Sequence, residues 1–281
     1  MRRLIYFVSM RCRPFVKFFS FMLTCYKKPQ SGIYFLMYHS IGENIDIEID
    51  IDMKIFGQQI NYLKDIGTII SIEDASKMLE EKKRCDQQFF VITFDDGYRN
   101  FLTEVYPILS KEKVPAIIYL NTSYLEQPDK VPIDYRVGFS KPLTPLSWSE
   151  VNLINQDDLI TIGCHGHMHQ ELTKLSDETI QNDMEVSLSI LKEKVGIHPK
   201  HFCYPRGMHD QRVIDKITPF FQSAVITLFD GNPVVRVKGN FTIMRIPVLK
   251  SDKFFWFKLR IKSKLYLDVL LFNFISRIFL K

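Results

Sequence analysis

The chain has 281 residues, 46% hydrophobic and 25% charged, with a net charge of +5, which suits one large domain able to bury a substantial core. Seven Lys/Arg and no acid fall in residues 1–30, and eight Lys/Arg with two Asp fall in residues 249–281, so the ends carry +13 and leave residues 31–248 at −8. An acidic body with basic ends argues against a nucleic-acid binder, which carries its positive charge on the folded domain, and fits termini lying on an anionic surface such as the cytoplasmic leaflet.

The apolar stretches Phe18–Tyr26 and Val269–Ser276 are too short to span a bilayer, which takes about 20 apolar residues. Arg11, Arg13 and Lys17 interrupt any secretion signal, and no small-residue cleavage site follows. Five cysteines (Cys12, Cys25, Cys85, Cys164, Cys203) without CxxC spacing read as reduced thiols. The expected location is cytoplasmic, peripheral to the inner face of the membrane.

From residue 31 apolar runs alternate with helical periodicity. Ile33–Tyr38 reads as a buried strand, Phe56–Ile66 as a helix, and Ser71 as the cap of a helix through Leu79. Phe89–Phe94 is a second strand, Phe101–Leu109 a helix, and Ala116–Leu120 a third strand. The proline-rich stretch 121–145 reads as an extended excursion. Trp148–Ile154 follows as a short helix, Leu159–Gly163 as a strand, and Ser176 caps a long helix ending near Gly196. Phe202–Tyr204, Ser223–Thr227 and Thr242–Ile246 complete the strands. From Lys264 onward, polar residues recur at helical intervals opposite a wide apolar face. That helix suits either the domain's own core or the membrane interface, and its bases favour the interface. The alternation implies a parallel sheet, doubly wound or closed into a barrel, with function at the strands' C-terminal ends.

Three motifs sit at those ends. Asp95 and Asp96 follow the strand ending in Thr93-Phe94, and Gly97 turns the chain. An Asp-Asp-Gly turn can be purely local. Alternatively, the two carboxylates point in different directions, one toward a cation and one toward substrate. Cys164-His165-Gly166-His167-Met168-His169 follows the strand at Ile160–Gly163. His165 and His169, four apart, converge if the segment turns helically, with His167 off that axis. Two His and a carboxylate leave positions open for water, as catalytic zinc sites do, and water activated there attacks an acyl carbon. Phe202-Cys203-Tyr204-Pro205-Arg206-Gly207 is the third strand-end turn and can present a backbone N–H, for instance that of Tyr204, to an oxyanion.

Together these motifs resemble those of the polysaccharide deacetylase family with the NodB homology domain, carbohydrate esterase family four. Thr93–Tyr98, His165–Leu172 and Phe202–Gly207 match its first three motifs, and Leu36–His39 and Leu146–Trp148 resemble stretches of one branch. The resemblance covers roughly residues 33–248. It implies a distorted (β/α) barrel of about seven parallel strands, flanked by the basic segments 1–30 and 249–281 around a domain at 31–248. It also implies Asp95 as general base, Asp96, His165 and His169 as ligands of a divalent metal, usually zinc, and Tyr204 as the oxyanion N–H donor. Tyr98, Trp148, Pro205 and Arg206 are expected to contact the substrate, an N-acetylated carbohydrate that is either a polysaccharide or a lipid-linked sugar. A deformylase, an O-deacetylase or a catalytically silent carbohydrate binder are the alternatives. Two departures stand out. Gly166 replaces the usual Ser/Thr, and Met244-Arg245-Ile246-Pro247 stands where a late Leu-x-His is expected, leaving His39, His167 and His209 as candidates for the acid.

Overall fold

The computed structural model describes residues 2–24, 30–127, 143–227 and 240–262. The expected amphipathic helix beyond Lys264 and most of the 121–145 excursion lie outside them.

Seven parallel strands close into a barrel: β1 (Gly32–Tyr38), β2 (Gln88–Phe94), β3 (Ala116–Leu120), β4 (Ile160–Cys164), β5 (His201–Cys203), β6 (Ser223–Ile226) and β7 (Ile243–Pro247). Pairing runs sequentially from β2 to β7. The ring closes because β1 pairs β7, with Phe35 opposite Arg245, and also β2, with Gly32 opposite Gln88 through Tyr38 opposite Phe94. A short strand, Thr68–Ile69, adds to the outer edge of β2. The strands are buried apolar runs because both faces of a helix-covered barrel are dry.

Alternation along each strand sorts the side chains into two clusters. Tyr34, Leu36, Tyr38, Phe90, Ile92 and Phe94 join the large cluster under the surrounding helices. Ile33, Phe35, Val91, Ile117, Tyr119 and Cys203 fill the barrel, with Ile72 and Ala75 closing its floor. Gly163 is a packing requirement: a Cβ there would lie 2.4 Å from the Tyr119 ring, which occupies the barrel.

The longer helices are α1 (Arg2–Thr24), α2 (Met53–Ile66), α3 (Ile72–Glu80), α4 (Tyr106–Glu112), α5 (Trp148–Ile154), α6 (Asp177–Val195), α7 (Gln211–Ile217) and α8 (Lys253–Ile261). One further turn of helix, Thr122–Glu126, opens the stretch expected to be extended. Side-chain caps start several of them: Asp52 bonds Ile55 N–H, Ser71 bonds Asp74 N–H and Ser176 bonds Thr179 N–H. The helix expected over Phe101–Leu109 begins as a wider π turn, Phe101–Val105, before α4. Among the described residues, no helix is long and apolar enough to cross a membrane.

The N-terminal helix is tied down by charge. Lys17 Nζ lies 2.9 Å from Asp252 Oδ1, and Arg260 grips both oxygens of Asp252 at 2.7 and 2.9 Å. All three are at most 1% exposed. Burial alone would raise the Asp252 pKa, but Arg260 and Lys17 overcome it and hold the carboxyl below the usual range. Its stabilising contribution is therefore complete above the unfolded pKa of about 3.9 and is lost as pH falls through the depressed folded value. Asp252→Asn should destabilise the fold by about 3–5 kcal/mol in urea unfolding at neutral pH, because two buried cations lose their shared counter-charge.

Candidate active site

The site forms where the chain leaves β2, β4 and β5. Asp95 and His165 sit one residue past their strands and still extend the ladder: Asp95 N–H donates to the Tyr38 carbonyl at 3.0 Å and His165 N–H to that of Leu120 at 2.9 Å. Beyond them the backbone turns sharply. Asp96, His169 and Arg206 all hold positive φ (76°, 51° and 57°), a conformation uncommon for residues with a Cβ. Three such residues at one rim mark a place where the fold imposes geometry for use.

That geometry brings three ligand atoms together. Asp96 Oδ1 lies 3.5 Å from His165 Nε2 and 3.4 Å from His169 Nε2. All three ligand atoms lie within 4.8 Å of one another. Zinc binds such ligands at about 2.0–2.1 Å, which makes the edge of its tetrahedron roughly 3.4 Å. The donor set and its spacing fit a divalent metal. His165 Nδ1 is 2.7 Å from the Cys203 carbonyl, so that nitrogen donates there and Nε2 is the one aimed at Asp96 and available to a metal. Burial would raise the Asp96 pKa, but the His165 hydrogen bond and the neighbouring His169 imidazole drive it far below the usual carboxylate range. Burial and the neighbouring His165 push His169 down to about 4. Asp96 is thus anionic and His169 neutral at neutral pH, the forms a metal requires. Burial would lower the His165 pKa, but Cys203 and Asp96 outweigh it and hold it well above the usual value, so His165 would have to give up a proton as a metal binds.

The histidine loop is not a helical turn, as the spacing suggested. It bends through Gly166 (φ 75°) and the left-handed His169, and this backbone rather than helical periodicity brings the imidazoles together. Asp183, buried on α6, shapes it: Oδ1 accepts the His167 N–H at 2.8 Å and Oδ2 the Met168 N–H at 2.9 Å. A Cβ on residue 166 would lie 2.8 Å from Asp183 Oδ1, so Gly166 and Asp183 belong together. The carboxylate thus supplies a brace for this loop from a residue that none of the sequence motifs contains.

Asp95 has a different environment. Arg245, fully buried on β7, clamps it with two bonds, Nη1 to Oδ1 at 2.6 Å and Nη2 to Oδ2 at 2.7 Å. The same guanidinium reaches Thr93 Oγ1 and Cys203 Sγ inside the barrel and lies over the Tyr119 ring. Burial would raise the Asp95 pKa, but the Arg245 charge and hydrogen bonds outweigh it and keep the carboxyl ionised. The lone Arg in the apolar strand Ile-Met-Arg-Ile-Pro was the available signal, since an interior cation needs an acid.

Of the three candidate acids, His39 places Nε2 4.0 Å from Asp95 Oδ2. Burial lowers its pKa, opposed by Asp95 and Asp96. The other two are turned elsewhere: His167 Nδ1 pairs with Thr122 Oγ1 at 2.9 Å and His209 Nδ1 with the Gly207 carbonyl at 3.1 Å.

Several expectations need correction. The Tyr204 N–H donates to the Val225 carbonyl at 3.2 Å as part of the β5–β6 ladder, so it is not presented to an oxyanion. Tyr98 is 1% exposed and packs edge-on against Tyr124, which makes it a wall behind the site rather than a sugar contact. Pro205 is likewise buried. Trp148 is half-buried, with its indole N–H donating to Glu126 Oε1 at 2.6 Å, and half-buried Arg206 donates to Glu171.

Residues 82–219 match the family model described as polysaccharide deacetylase. That stretch is identified as a polysaccharide deacetylase domain. Its similarity to YxkH of Bacillus subtilis (strain 168), named for the same family, is 26% identity over 215 residues, 76% of this chain and 70% of that protein. It is 21% identical over 237 residues to the poly-beta-1,6-N-acetyl-D-glucosamine N-deacetylase of Escherichia coli (strain K12), matching 72% of this chain but only 35% of that longer protein. The Streptococcus pyogenes deacetylase PplD, solved in complex with acetate, shares the fold with a TM-score of 0.68 at 20% identity, covering 83% of this chain and 99% of that one. IcaB from Ammonifex degensii gives 0.66 at 18% identity, covering 84% and 98%. The matched region holds Asp95, Asp96, both converging histidines, Asp183 and Arg206, while His39 and Arg245 lie outside it.

Proposed function

We propose that this polysaccharide deacetylase removes the acetyl group from the nitrogen of an N-acetylated sugar, using a divalent metal, zinc in our reading, held by Asp96, His165 and His169. The observation that carries the reading is a metal-spaced triad beside a separately clamped carboxylate and a histidine. A bound metal supplies Lewis acidity, acidifying a water and polarising the acyl carbonyl. The chain's own residues do the proton work. Asp95, kept ionised by Arg245, accepts the proton of the attacking water. His39, with Nε2 4.0 Å from Asp95 Oδ2, is placed to take up the proton that Asp95 removes from water and pass it to the departing amine nitrogen. Half-buried Trp148 and Arg206 remain the candidates for holding the sugar. Homology to an N-deacetylase of a β-1,6-linked glucosamine polymer supports an N-acetylglucosamine-containing substrate.

The test is acetate release from N-acetylglucosamine oligomers by chelator-stripped and zinc-reloaded protein. Release confined to the reloaded sample supports the reading, and equal release by both would sink it. The Asp183 brace gives a second check. Asp183→Ala leaves two part-buried loop N–H groups without their carboxylate partner and should weaken zinc binding about 10–100-fold in a chelator competition, the effect expected of groups that orient metal ligands.

A further inference from the structure

Helix α1 is built with its polarity reversed. The described side chains that face the domain are Arg13, Lys17, Ser20 and Thr24, all 7% exposed or less. Those that face outward are Phe15, Phe18, Phe19, Met22 and Leu23, between 51% and 78% exposed. Both sets follow helical spacing, so each is one continuous stripe. A helix on a soluble domain normally buries its apolar stripe and shows water its polar one. Here specific polar bonds, Lys17 to Asp252 and Ser251 and Arg13 to Glu48, fix the helix with the apolar stripe outward. A row of large apolar side chains fixed toward the outside by buried ion pairs implies an apolar medium on that side.

We propose that this outward face of α1 docks the protein on a lipid bilayer containing anionic headgroups, lying in the interface without crossing it. Charge selects lipid over other apolar partners. Arg2, Arg3 and Arg11 belong to the same helix, Lys27 and Lys28 follow it in the sequence, and residues 1–30 contain no acid. Such a flank is attracted to an anionic leaflet, whereas a second copy of the chain would bring an equally basic helix against it. The anchors also fix which part of the enzyme meets the membrane. Glu48 lies in the segment following β1 and Ser251–Asp252 in the segment following β7, and Lys250 N–H joins the two by bonding the Glu48 carbonyl at 2.7 Å. Both segments leave C-terminal strand ends, the rim that carries the catalytic residues. Docking through α1 therefore brings the mouth of the barrel beside the bilayer, where it suits an acyl sugar on a lipid carrier. That last consequence rests on the deacetylase reading, while the docking itself does not.

The test is flotation of the full chain with vesicles of phosphatidylcholine alone and of phosphatidylcholine mixed with phosphatidylglycerol. The protein should float with the mixed vesicles, less with the neutral ones, and progressively less as salt is raised. Phe15→Ser/Phe18→Ser/Phe19→Ser should reduce flotation at least about tenfold with an unchanged urea midpoint, since these side chains make little contact with the domain. Should that variant fold poorly, Phe18→Trp in the otherwise native chain keeps the question open to test: bromine-labelled acyl chains should quench the fluorescence of the added indole. Absence of flotation with either vesicle, equal flotation of the triple variant, no quenching in the Phe18→Trp variant or a self-associated chain that buries α1 would each overturn the proposal. Acetate release from soluble oligomers is a separate readout, so loss of docking and loss of the deacetylase reading are distinguishable.

Discussion

Arg245→Met should destabilise the protein by about 3–5 kcal/mol at neutral pH and invert part of its pH dependence, because it strands the Asp95 carboxylate inside the barrel. In the native chain the folded pKa of Asp95 is depressed, Arg245 outweighing burial. The pair's stabilisation is complete above the unfolded value of about 3.9 and fades only as pH falls through the depressed folded value. Without Arg245 the largest opposition to burial is gone, and only His165 and His39 still counter it. The folded pKa should rise above the unfolded one. Stability must then increase as pH is lowered from 7 toward that value, the reverse of the native trend. Urea midpoints of both proteins across this range check the sign. The acid limb of kcat/KM should move upward in the same variant, since Asp95 now protonates more easily. A midpoint shift worth under about 0.5 kcal/mol, the size of an ordinary surface change, would mean that the clamp contributes little.

His39→Gln should lower kcat on an N-acetyl sugar by about 10²–10⁴, the usual worth of a positioned proton donor. The loss should depend on the leaving group. An amine must be protonated to depart, whereas a phenolate need not be, so hydrolysis of an aryl acetate should fall far less. Zinc content should stay unchanged because His39 is outside the Asp96–His165–His169 set. Equal losses on amide and aryl ester would assign His39 a structural role, which its buried Nδ1, without a hydrogen-bond partner among the described residues, does not favour.

The strands were legible because a barrel strand buried on both faces must be a short apolar run, and Ala116–Leu120 matches its expected bounds in full. The rim position of Asp95, Asp96, His165 and His169 follows from the same logic, since each turn comes directly after such a run. What spacing could not carry was the backbone between the histidines. A four-residue interval suggested a helical turn, and the structure instead uses positive φ at Gly166 and His169 with a carboxylate from α6. Nor does spacing tell a strand-bound N–H from one facing the cavity, which is why Tyr204 misled. Arg245 was visible as a lone cation in an apolar strand where a histidine was expected, but its partner lies 150 positions earlier in the chain and becomes evident only once the barrel closes. The basic, apolar character of residues 1–30 was plain, but the inward direction of their polar stripe depends on Asp252 and Glu48.

The central claim is that Asp95 takes the proton while Asp96 and the two histidines hold the metal. The most direct measurement is acetate release from N-acetylglucosamine oligomers by zinc-reloaded wild type and Asp95→Asn, with metal content determined on the same samples. The account predicts equal zinc in both and turnover lower by about 10²–10⁴ in the variant. Near-native turnover in zinc-replete Asp95→Asn, or loss of the metal together with activity, would contradict that division of labour.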